Sequence, residues 1–507
     1  MSRSGWPLVL AAGGGSVLGL GAAAVSGGLG WGVVVTAAAT ACGLCAVVLL
    51  TRGLAPWVRI VLLAVGGYVA LGRGFAYVSP LPERVPLFVG EMAIIAAVAL
   101  MPHRRLLPAF LADGVGRWTV AWTVYGLLRG ISWLADMDFT AAKAMCMVYY
   151  TAFLYFGWAL MREPATFERA KTVLAVVFSV HLVHAIASLE RFGLAEMAPS
   201  AREGAPPLLG LGTGGTPYIN SVIAGFFFLL VWPRRQWMAG AVRTAGALLS
   251  VVALLLMQAR AGFVAALIAS ALGVAGPWRR RLAGPLLAVA AMIVVGGLLL
   301  AATSTAITGT KGPMSAEFAL AQLWSIAGVA PSGDVADFES LLLGPREGRL
   351  EIWGDIVTRT VERGDWVFGL GFARSLLEIP QDDGTLKRSP HNGFVTVFGY
   401  LGVVGVTLFV GMLAHALIVS ASALGRAERH GDARMADLSL WLLIALAVNA
   451  SGALFSVIWD SPVQAAPAYL FTGMAVGLAR AVERGRWSSR PSSGEARSLE
   501  SEAHVAR

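Results

Sequence analysis

The stretch that decides the fold is residues 241–276, AVRTAGALLSVVALLLMQARAGFVAALIASALGVAG, in which the only charged side chains are Arg243 and Arg260. One helix of this length would run about 54 Å at ~1.5 Å per residue. The hydrocarbon core of a bilayer is only about 30 Å thick and is crossed by about 20 apolar residues. The stretch therefore predicts two membrane spans that meet at a turn near 258–262.

Apolar stretches of this kind fill most of the 507-residue chain. Hydrophobic residues make up 57% and charged residues 14%, whereas about 25% of the residues in a globular domain are charged. The sequence predicts an all-α polytopic membrane protein with about 14 transmembrane helices, within a range of roughly 12–14. The candidate spans are 6–27, 30–50, 57–78, 85–101, 117–134, 139–161, 171–192, 217–233, 241–259, 261–276, 285–303, 391–420, 438–459 and 464–482.

The Lys and Arg residues of the short connections predict the orientation, because such residues stay on the cytoplasmic side. With fourteen spans, the first kept rather than removed as a signal peptide, the basic connections and both termini are cytoplasmic. The long interval 304–390 then faces the periplasm, and its 8 basic and 12 acidic residues give it a net charge of −4. The net charge of +9 for the chain is thus a topology signal, and we expect no nucleic-acid partner.

We divide the chain into four parts. Residues 1–240 form an N-terminal transmembrane bundle, and residues 241–420 form a core that includes the periplasmic loop 304–390. Residues 421–483 contain the C-terminal transmembrane helices, and the Ser-rich segment 484–507 is predicted to be a disordered cytoplasmic tail.

Motifs for nucleotide or metal chemistry are missing from the sequence. There is no Walker A lysine, no HExxH and no metal-ligand spacing of Cys and His. Cys42, Cys45 and Cys146 lie in apolar stretches, so they do not indicate a disulfide framework. We expect neither a metal nor a cofactor.

Arg260 and the outer loop carry the residues that could perform chemistry. Arg260 fits two roles, a snorkelling arginine that marks the turn or an anion site. Within the loop, 349–363 places Leu350, Trp353 and Val357 at helical spacing, which predicts an amphipathic helix able to lie on the membrane.

The loop ends where the next predicted span begins. Ser389-Pro390-His391-Asn392-Gly393 opens that span, since proline suits a helix start, and His391 lies at its outer end. A lone histidine at a membrane interface is usually unremarkable.

The order of these pieces over 240–415 is more specific than any one of them. An arginine and glycine between two spans, an outer Arg-x-x-x-Trp, a Gly-x-Gly turn at 369–371 and His-Asn entering a helix resemble the core signature of the bacterial O-antigen ligase and O-antigen polymerase family. The resemblance implies a GT-C-type architecture and a metal-independent, inverting glycosyltransferase. It marks His391 as catalytic, and Arg260 and Arg349 as pyrophosphate-binding.

The resemblance also implies the partners and the location. The donor would be a glycan on undecaprenyl pyrophosphate, and the acceptor a hydroxyl of lipid A core or of a second lipid-linked glycan. The protein would lie in the bacterial inner membrane, among its lipids, with the active site facing the periplasm. Secondary candidates for the site are Arg73, Arg129, Lys143, Asn220 and Asn392.

The chemistry of these residue types agrees with that assignment. The pyrophosphate leaving group develops negative charge, and arginine stays protonated and binds phosphate oxygens through a two-donor fork. A histidine near its ordinary pKa of ~6.5 can accept the proton that leaves the acceptor hydroxyl.

Two other interpretations stay open. A lipid-linked glycan transporter would explain His181 and His184, which lie within a span and could line a pathway, although packing is the simpler role for them. Within the enzyme interpretation, ligase, polymerase and protein O-glycosylation differ in the acceptor, which the residues do not specify.

Overall fold

The computed structural model describes ten main segments and several short pieces between 282 and 387. Predicted spans 6–27 and 285–303, and most of 30–50, lie outside the described residues. The main segments are 42–43, 45–79, 87–131, 144–187, 217–232, 239–257, 259–275, 344–372, 390–456 and 458–485.

The described part is built from α-helices and two small antiparallel ribbons. The helices are α1 Pro56–Leu71, α2 Val89–Leu100, α3 His103–Leu111, α4 Gly114–Gly130, α5 Ala152–Leu160, α6 Pro164–Ala187, α7 Pro217–Phe226, α8 Ala239–Met257, α9 Arg260–Val274, α10 Gly344–Glu362, α11 Gly393–Arg429, α12 Ala433–Gly452 and α13 Pro462–Glu483. Single helical turns lie at Cys146–Tyr149, Gly72–Tyr77 and Phe227–Val231. The ribbons pair β1 Ile307–Gly309 with β2 Gly312–Met314, and β3 Ile379–Pro380 with β4 Leu386–Lys387.

Six helices in the described segments are long and apolar enough to cross a membrane. The number rises to 7 if α2 and α3, which are bent by 104° at Met101-Pro102, form one broken span. The chain is therefore a polytopic helical membrane protein, as predicted. The described residues do not establish the figure of fourteen spans.

The predicted turn near 258–262 is confirmed. α8 ends at Met257 and α9 begins at Arg260, with Ala259 in an extended conformation between them. The predicted span 391–420 is one longer helix, α11, which continues to Arg429. Its 37 residues exceed the length that a bilayer requires.

Small residues let the central helices approach closely. A Cβ atom at Gly157 on α5 would lie 2.1 Å from the Leu470 carbonyl oxygen of α13. One at Gly473 would lie 1.9 Å from the Leu154 carbonyl oxygen. Close backbone contact of this type stabilises helix pairs in membranes, where apolar burial alone does not drive association.

An aromatic cluster joins four elements in the core. Phe178 on α6 and Phe227 after α7 have ring centroids 5.2 Å apart, and Trp441 on α12 lies 5.2 Å from Phe227. Phe471 on α13 completes the cluster, 5.6 Å from Trp441. The Trp441 indole N–H donates to the Ile223 carbonyl at 3.1 Å, so its polar atom is satisfied in the interior.

Several residues of the basic connections form ion pairs, and these pairs lie at one end of the helical bundle. Arg480 contacts the buried Asp113 carboxylate at 2.6 Å, and Lys171 contacts Glu168 at 2.7 Å. Glu168 also pairs with Arg434. α11 runs from this end to His391, so we refer below to the His391 end and the opposite end.

Candidate functional site

The helix that carries Arg349 is tied directly to the segment that carries His391. Trp353, one turn after Arg349 on α10, donates its indole N–H to the Pro390 carbonyl at 2.7 Å. Trp353 was expected on the membrane-facing stripe of an amphipathic helix. Trp353 is half-buried, whereas Leu350 and Val357 of the same predicted stripe are exposed.

His391 occupies a constrained position immediately before α11. Its φ of 53° lies in the left-handed region and is the only positive φ of a non-glycine residue in the described segments. Such conformations are uncommon for non-glycine residues, although asparagine, aspartate and histidine adopt them more often than others, and they persist where the surroundings fix them. Here Trp353 holds the preceding carbonyl, and the Gly393 N–H donates to the Ala453 carbonyl at 2.7 Å.

Asn392 caps α11. Its side-chain oxygen accepts from the backbone N–H groups of Phe394 and Val395 at 3.0 and 3.1 Å. Asparagine favours this position because it satisfies amide donors that the first helical turn leaves open. The structure thus gives Asn392 a capping contact, whereas the sequence suggested it as a secondary site residue.

Tyr218 links three elements at the His391 end. Its side chain lies near that of Ser456, which follows α12, and its hydroxyl lies within electrostatic range of Arg349. A Cβ atom at Gly262 would lie 3.0 Å from the Tyr218 Cβ, so the first turn of α9 packs against the same residue.

Tyr218 is the residue that relates the start of α9, where Arg260 lies, to Arg349. Arg260 is the first residue of α9, two positions before Gly262. Its side chain lies outside the described part of the structure. The two predicted pyrophosphate-binding positions are thus both related to one tyrosine, Arg260 through the packing of α9 and Arg349 through its charge.

The Gly-x-Gly turn is hydrogen-bonded to a kink in α11. Gly402 has φ 62° and ψ −164°, a backbone conformation that only glycine adopts readily. The kink interrupts the helical hydrogen bonds, and backbone atoms of the turn replace them. The four bonds run from Leu370 N–H to Gly399 O at 2.9 Å, Gly371 N–H to Tyr400 O at 2.9 Å, Val403 N–H to Trp366 O at 2.9 Å and Val404 N–H to Val367 O at 3.1 Å.

Arg129, on α4, contacts this turn. Its guanidinium donates to the Gly369 carbonyl at 2.6 Å. Tyr125, one turn earlier, donates to the Leu401 carbonyl at 2.8 Å. The sequence marked Arg129 as a secondary site residue, and the structure places it against the backbone that shapes the site.

A carboxylate near His391 was missed by the sequence analysis. The Thr396 hydroxyl lies 2.9 Å from the Asn392 carbonyl and 3.4 Å from an Asp460 carboxylate oxygen. Asp460 precedes α13, about seventy residues after His391, so sequence spacing alone gave no signal. The turn after α12 brings it to the His391 end.

The remaining secondary candidates have different positions. Arg73 is exposed on the helical turn after α1, and Asn220 is buried on α7, two residues after Tyr218. Lys143 lies outside the described residues.

The two buried histidines that suggested a transporter make structural contacts. A ring nitrogen of His181 lies 2.8 Å from the Val69 carbonyl, and one of His184 lies 2.5 Å from the Ala70 carbonyl. These carbonyls belong to the last turn of α1, where carbonyl groups have no backbone N–H partner within the helix. The other ring nitrogen of His181 lies 3.1 Å from the Ser221 hydroxyl. The contacts support the packing interpretation.

Comparison with known families gives an independent result. Residues 245–410 match the family model described as O-antigen ligase. The matched segment contains Arg260, Arg349, Trp353 and His391. No curated protein matches the chain. The chain is thus a polytopic membrane protein that matches the O-antigen ligase family model over this segment, about a third of its length. Over these residues the match confirms the resemblance predicted from the sequence.

Proposed function

We propose that the protein is an inverting glycosyltransferase that moves a glycan from undecaprenyl pyrophosphate to an acceptor sugar hydroxyl. The reaction would occur at the periplasmic face of a bacterial inner membrane, in a GT-C-type bundle of about 14 spans. The observation that carries the proposal is the Trp353–Pro390 hydrogen bond, which joins the Arg349 helix to His391. A transferase needs a cation for the leaving group and a base for the acceptor within one site.

Arg349 and Arg260 are proposed to bind the pyrophosphate. As the bond from the anomeric carbon to the pyrophosphate oxygen breaks, that oxygen gains negative charge. A guanidinium offers two parallel donors to phosphate oxygens and stays protonated throughout. Arg349 lies within electrostatic range of Tyr218, and Gly262, two residues after Arg260, packs on the same side chain. Both observations support a shared location for the two arginines.

His391 is proposed as the general base. The acceptor oxygen attacks the anomeric carbon from the side opposite the pyrophosphate, so the configuration inverts. The hydroxyl proton passes to a ring nitrogen of His391, and undecaprenyl pyrophosphate leaves. General-base assistance of this kind contributes about 10²–10⁴-fold. The fixed backbone at His391 supports this role, because it limits the positions open to the ring.

The acceptor distinguishes two forms of the proposal. A ligase would glycosylate lipid A core, and a polymerase would extend a second lipid-linked glycan. We favour the ligase because the matching family model carries that description. The polymerase remains the alternative within the same chemistry.

The test is transfer by purified protein in lipid nanodiscs, with the lipid pyrophosphate-linked glycan and each acceptor in turn. His391→Ala should reduce transfer by about 10²-fold or more. His430→Ala is the matched control, because His430 is exposed at the opposite end of α11, and it should keep wild-type activity. Product on lipid A core indicates a ligase, and longer lipid-linked glycan indicates a polymerase. Near-normal transfer by His391→Ala, or glycan translocation with no transfer by the wild type, would overturn the proposal.

A further inference from the structure

A groove of about 330 Å³ opens between α4 and α11 at the opposite end of the bundle from His391. Its lining residues are Gly114, Arg117, Trp118, Ala121, Leu408 and His415. His415 is 22 residues into α11, about 33 Å from the start of the helix at ~1.5 Å per residue. The groove is therefore separate from the proposed transfer site.

Two close crossings shape this groove. A Cβ atom at Gly114 would lie 2.2 Å from the His415 ring. A Cβ atom at Gly411 would lie 2.9 Å from the Trp118 ring. The two helices thus meet through glycines, and the aromatic rings that fill those contacts line one side of the groove.

The groove is polar at one end and apolar at the other. Arg117 and His415 lie near the start of α4, at the opposite end of the bundle. Ala121 is one turn further along α4, and Leu408 is two turns back along α11, both towards the membrane interior. The change from polar to apolar lining follows the helix axes, which is also the direction in which an amphipathic lipid lies in a bilayer.

Arg117, and the His415 ring that lines the groove with it, differ from several cations at this end. Within the described part of the chain, neither side chain makes an ion pair or a hydrogen bond. In contrast, Arg480, Arg426, Arg434 and Lys171 are paired with carboxylates. Asp113, the acidic residue before α4, is neutralised by Arg480 at 2.6 Å. The positive charge at the polar end of the groove is therefore uncompensated.

The adjacent α3 indicates the level of the lipid headgroups. It is bent by 104° from α2, exposes Arg104 and Arg105, and also exposes the apolar Leu107 and Leu111. A helix with these two faces lies in the plane of the membrane interface. A Cβ atom at Gly116 on α4 would lie 1.9 Å from the Phe110 carbonyl of α3, so Arg117 lies at the interface.

We propose that this groove binds an acidic phospholipid of the leaflet opposite the transfer site, with its phosphate at Arg117 and His415 and an acyl chain along Ala121 and Leu408. Basic pockets between transmembrane helices bind anionic headgroups through the same charge complementarity. Trp118 contributes an amphipathic ring at the depth where tryptophan is enriched. The site would keep an anionic lipid bound to the α4–α11 pair.

The test measures lipid retention by native mass spectrometry of the full chain, exchanged from detergent into phosphatidylglycerol or phosphatidylcholine. The wild type should retain phosphatidylglycerol and release phosphatidylcholine. Arg117→Gln with His415→Gln should weaken phosphatidylglycerol binding by about fivefold or more, given ~1 kcal/mol for an arginine at an anionic surface. Arg434→Gln with His430→Gln is the control, because it removes an arginine and a histidine at the same end, away from the groove.

A second variant tests the apolar half independently. Ala121→Phe fills the groove without changing charge and should lower phosphatidylglycerol retention while the protein stays monodisperse. Glycerophosphate, which has the headgroup charge without acyl chains, should not displace the lipid. Equal retention of both lipids, equal loss in the control variant, displacement by glycerophosphate, or unchanged binding in both groove variants would each overturn the proposal. Transfer activity is not part of the assay, so its outcome does not depend on the proposed function.

Discussion

The indole N–H of Trp353 donates to the carbonyl of Pro390 at 2.7 Å. The two residues are 37 positions apart, and the bond connects the middle of α10 with the residue before His391. The bond therefore couples the positions of the neighbouring residues Arg349 and His391, so a change in the position of α10 also changes the position of the histidine.

Trp353→Phe should separate this positioning effect from stability. The change keeps most of the ring and removes the donor, so it should cost about 1 kcal/mol of unfolding free energy. Transfer should fall further, by about 10- to 100-fold, because small misplacement of reacting groups is costly. Thermal unfolding and transfer kinetics in nanodiscs measure the two effects. Trp366→Phe is the control, since the Trp366 side chain is exposed and only its carbonyl bonds to α11. Equal transfer by both variants would remove Trp353 from the site.

Arg349 should require its guanidinium and not only its charge. Arg349→Lys should impair transfer, and Arg349→Ala should cost about 10- to 150-fold, which corresponds to roughly 1.5–3 kcal/mol for a charge-assisted hydrogen bond. Arg260→Lys should behave in the same way. Arg359→Ala on the same helix is the control, because Arg359 is exposed and pairs with Asp355 at 3.2 Å. Full activity of Arg349→Lys would argue against a two-donor contact with pyrophosphate.

Gly402→Ala should disrupt the kink that receives the Gly-x-Gly turn. A Cβ atom there would lie 2.4 Å from the Val367 carbonyl oxygen, and the backbone conformation itself costs about 1–3 kcal/mol for a residue with a side chain. Gly425→Ala on the same helix meets no atom within 4 Å and should stabilise by about 0.5–1 kcal/mol. The melting temperature should fall for Gly402→Ala and hold or rise for Gly425→Ala. A melting temperature for Gly402→Ala equal to that of wild type would contradict the packing described here.

The sequence predicted the features that depend on length and polarity. The turn at Ala259 follows from an apolar stretch too long for one span, and the helix at Arg349 follows from its spacing. The order of Arg260, Arg349 and His391 was enough to indicate the family.

The sequence could not predict contacts that depend on tertiary packing. Helical spacing gave no sign of the Trp353–Pro390 bond, because a tryptophan N–H that bonds to a distant carbonyl leaves no periodic pattern. Asp460 and Tyr218 belong to elements far from His391 in sequence, and only the fold brings them to one end. Arg129 was selected for its charge, whereas its observed contact is with a backbone carbonyl.

The orientation can be tested with single cysteines at Ser332 and Ser422, in a chain lacking Cys42, Cys45 and Cys146. Ser332 lies in the predicted periplasmic loop, and Ser422 is exposed near the opposite end of α11. An impermeant maleimide added to cells with a permeabilised outer membrane should label Ser332→Cys only. Labelling of Ser422→Cys instead would show that the topology is inverted, and labelling of both would contradict the predicted topology.

Transfer should continue in the presence of a metal chelator. The proposed chemistry assigns the charge of the leaving group to Arg260 and Arg349, so it does not require a divalent cation. Activity is measured with the chelator, and again after Mg²⁺ or Mn²⁺ is added back. Loss that either ion restores would show that the arginines do not suffice.

The kink at Gly402 also constrains how the protein is made. A helix in hydrocarbon must satisfy its own backbone groups, at several kcal/mol for each one left open, and the four bonds that α11 lacks come from the turn at 366–371. That turn is translated before α11, so the partners of the open groups lie in a segment that is already synthesised. A chain with a damaged turn would leave these backbone groups of α11 unpaired.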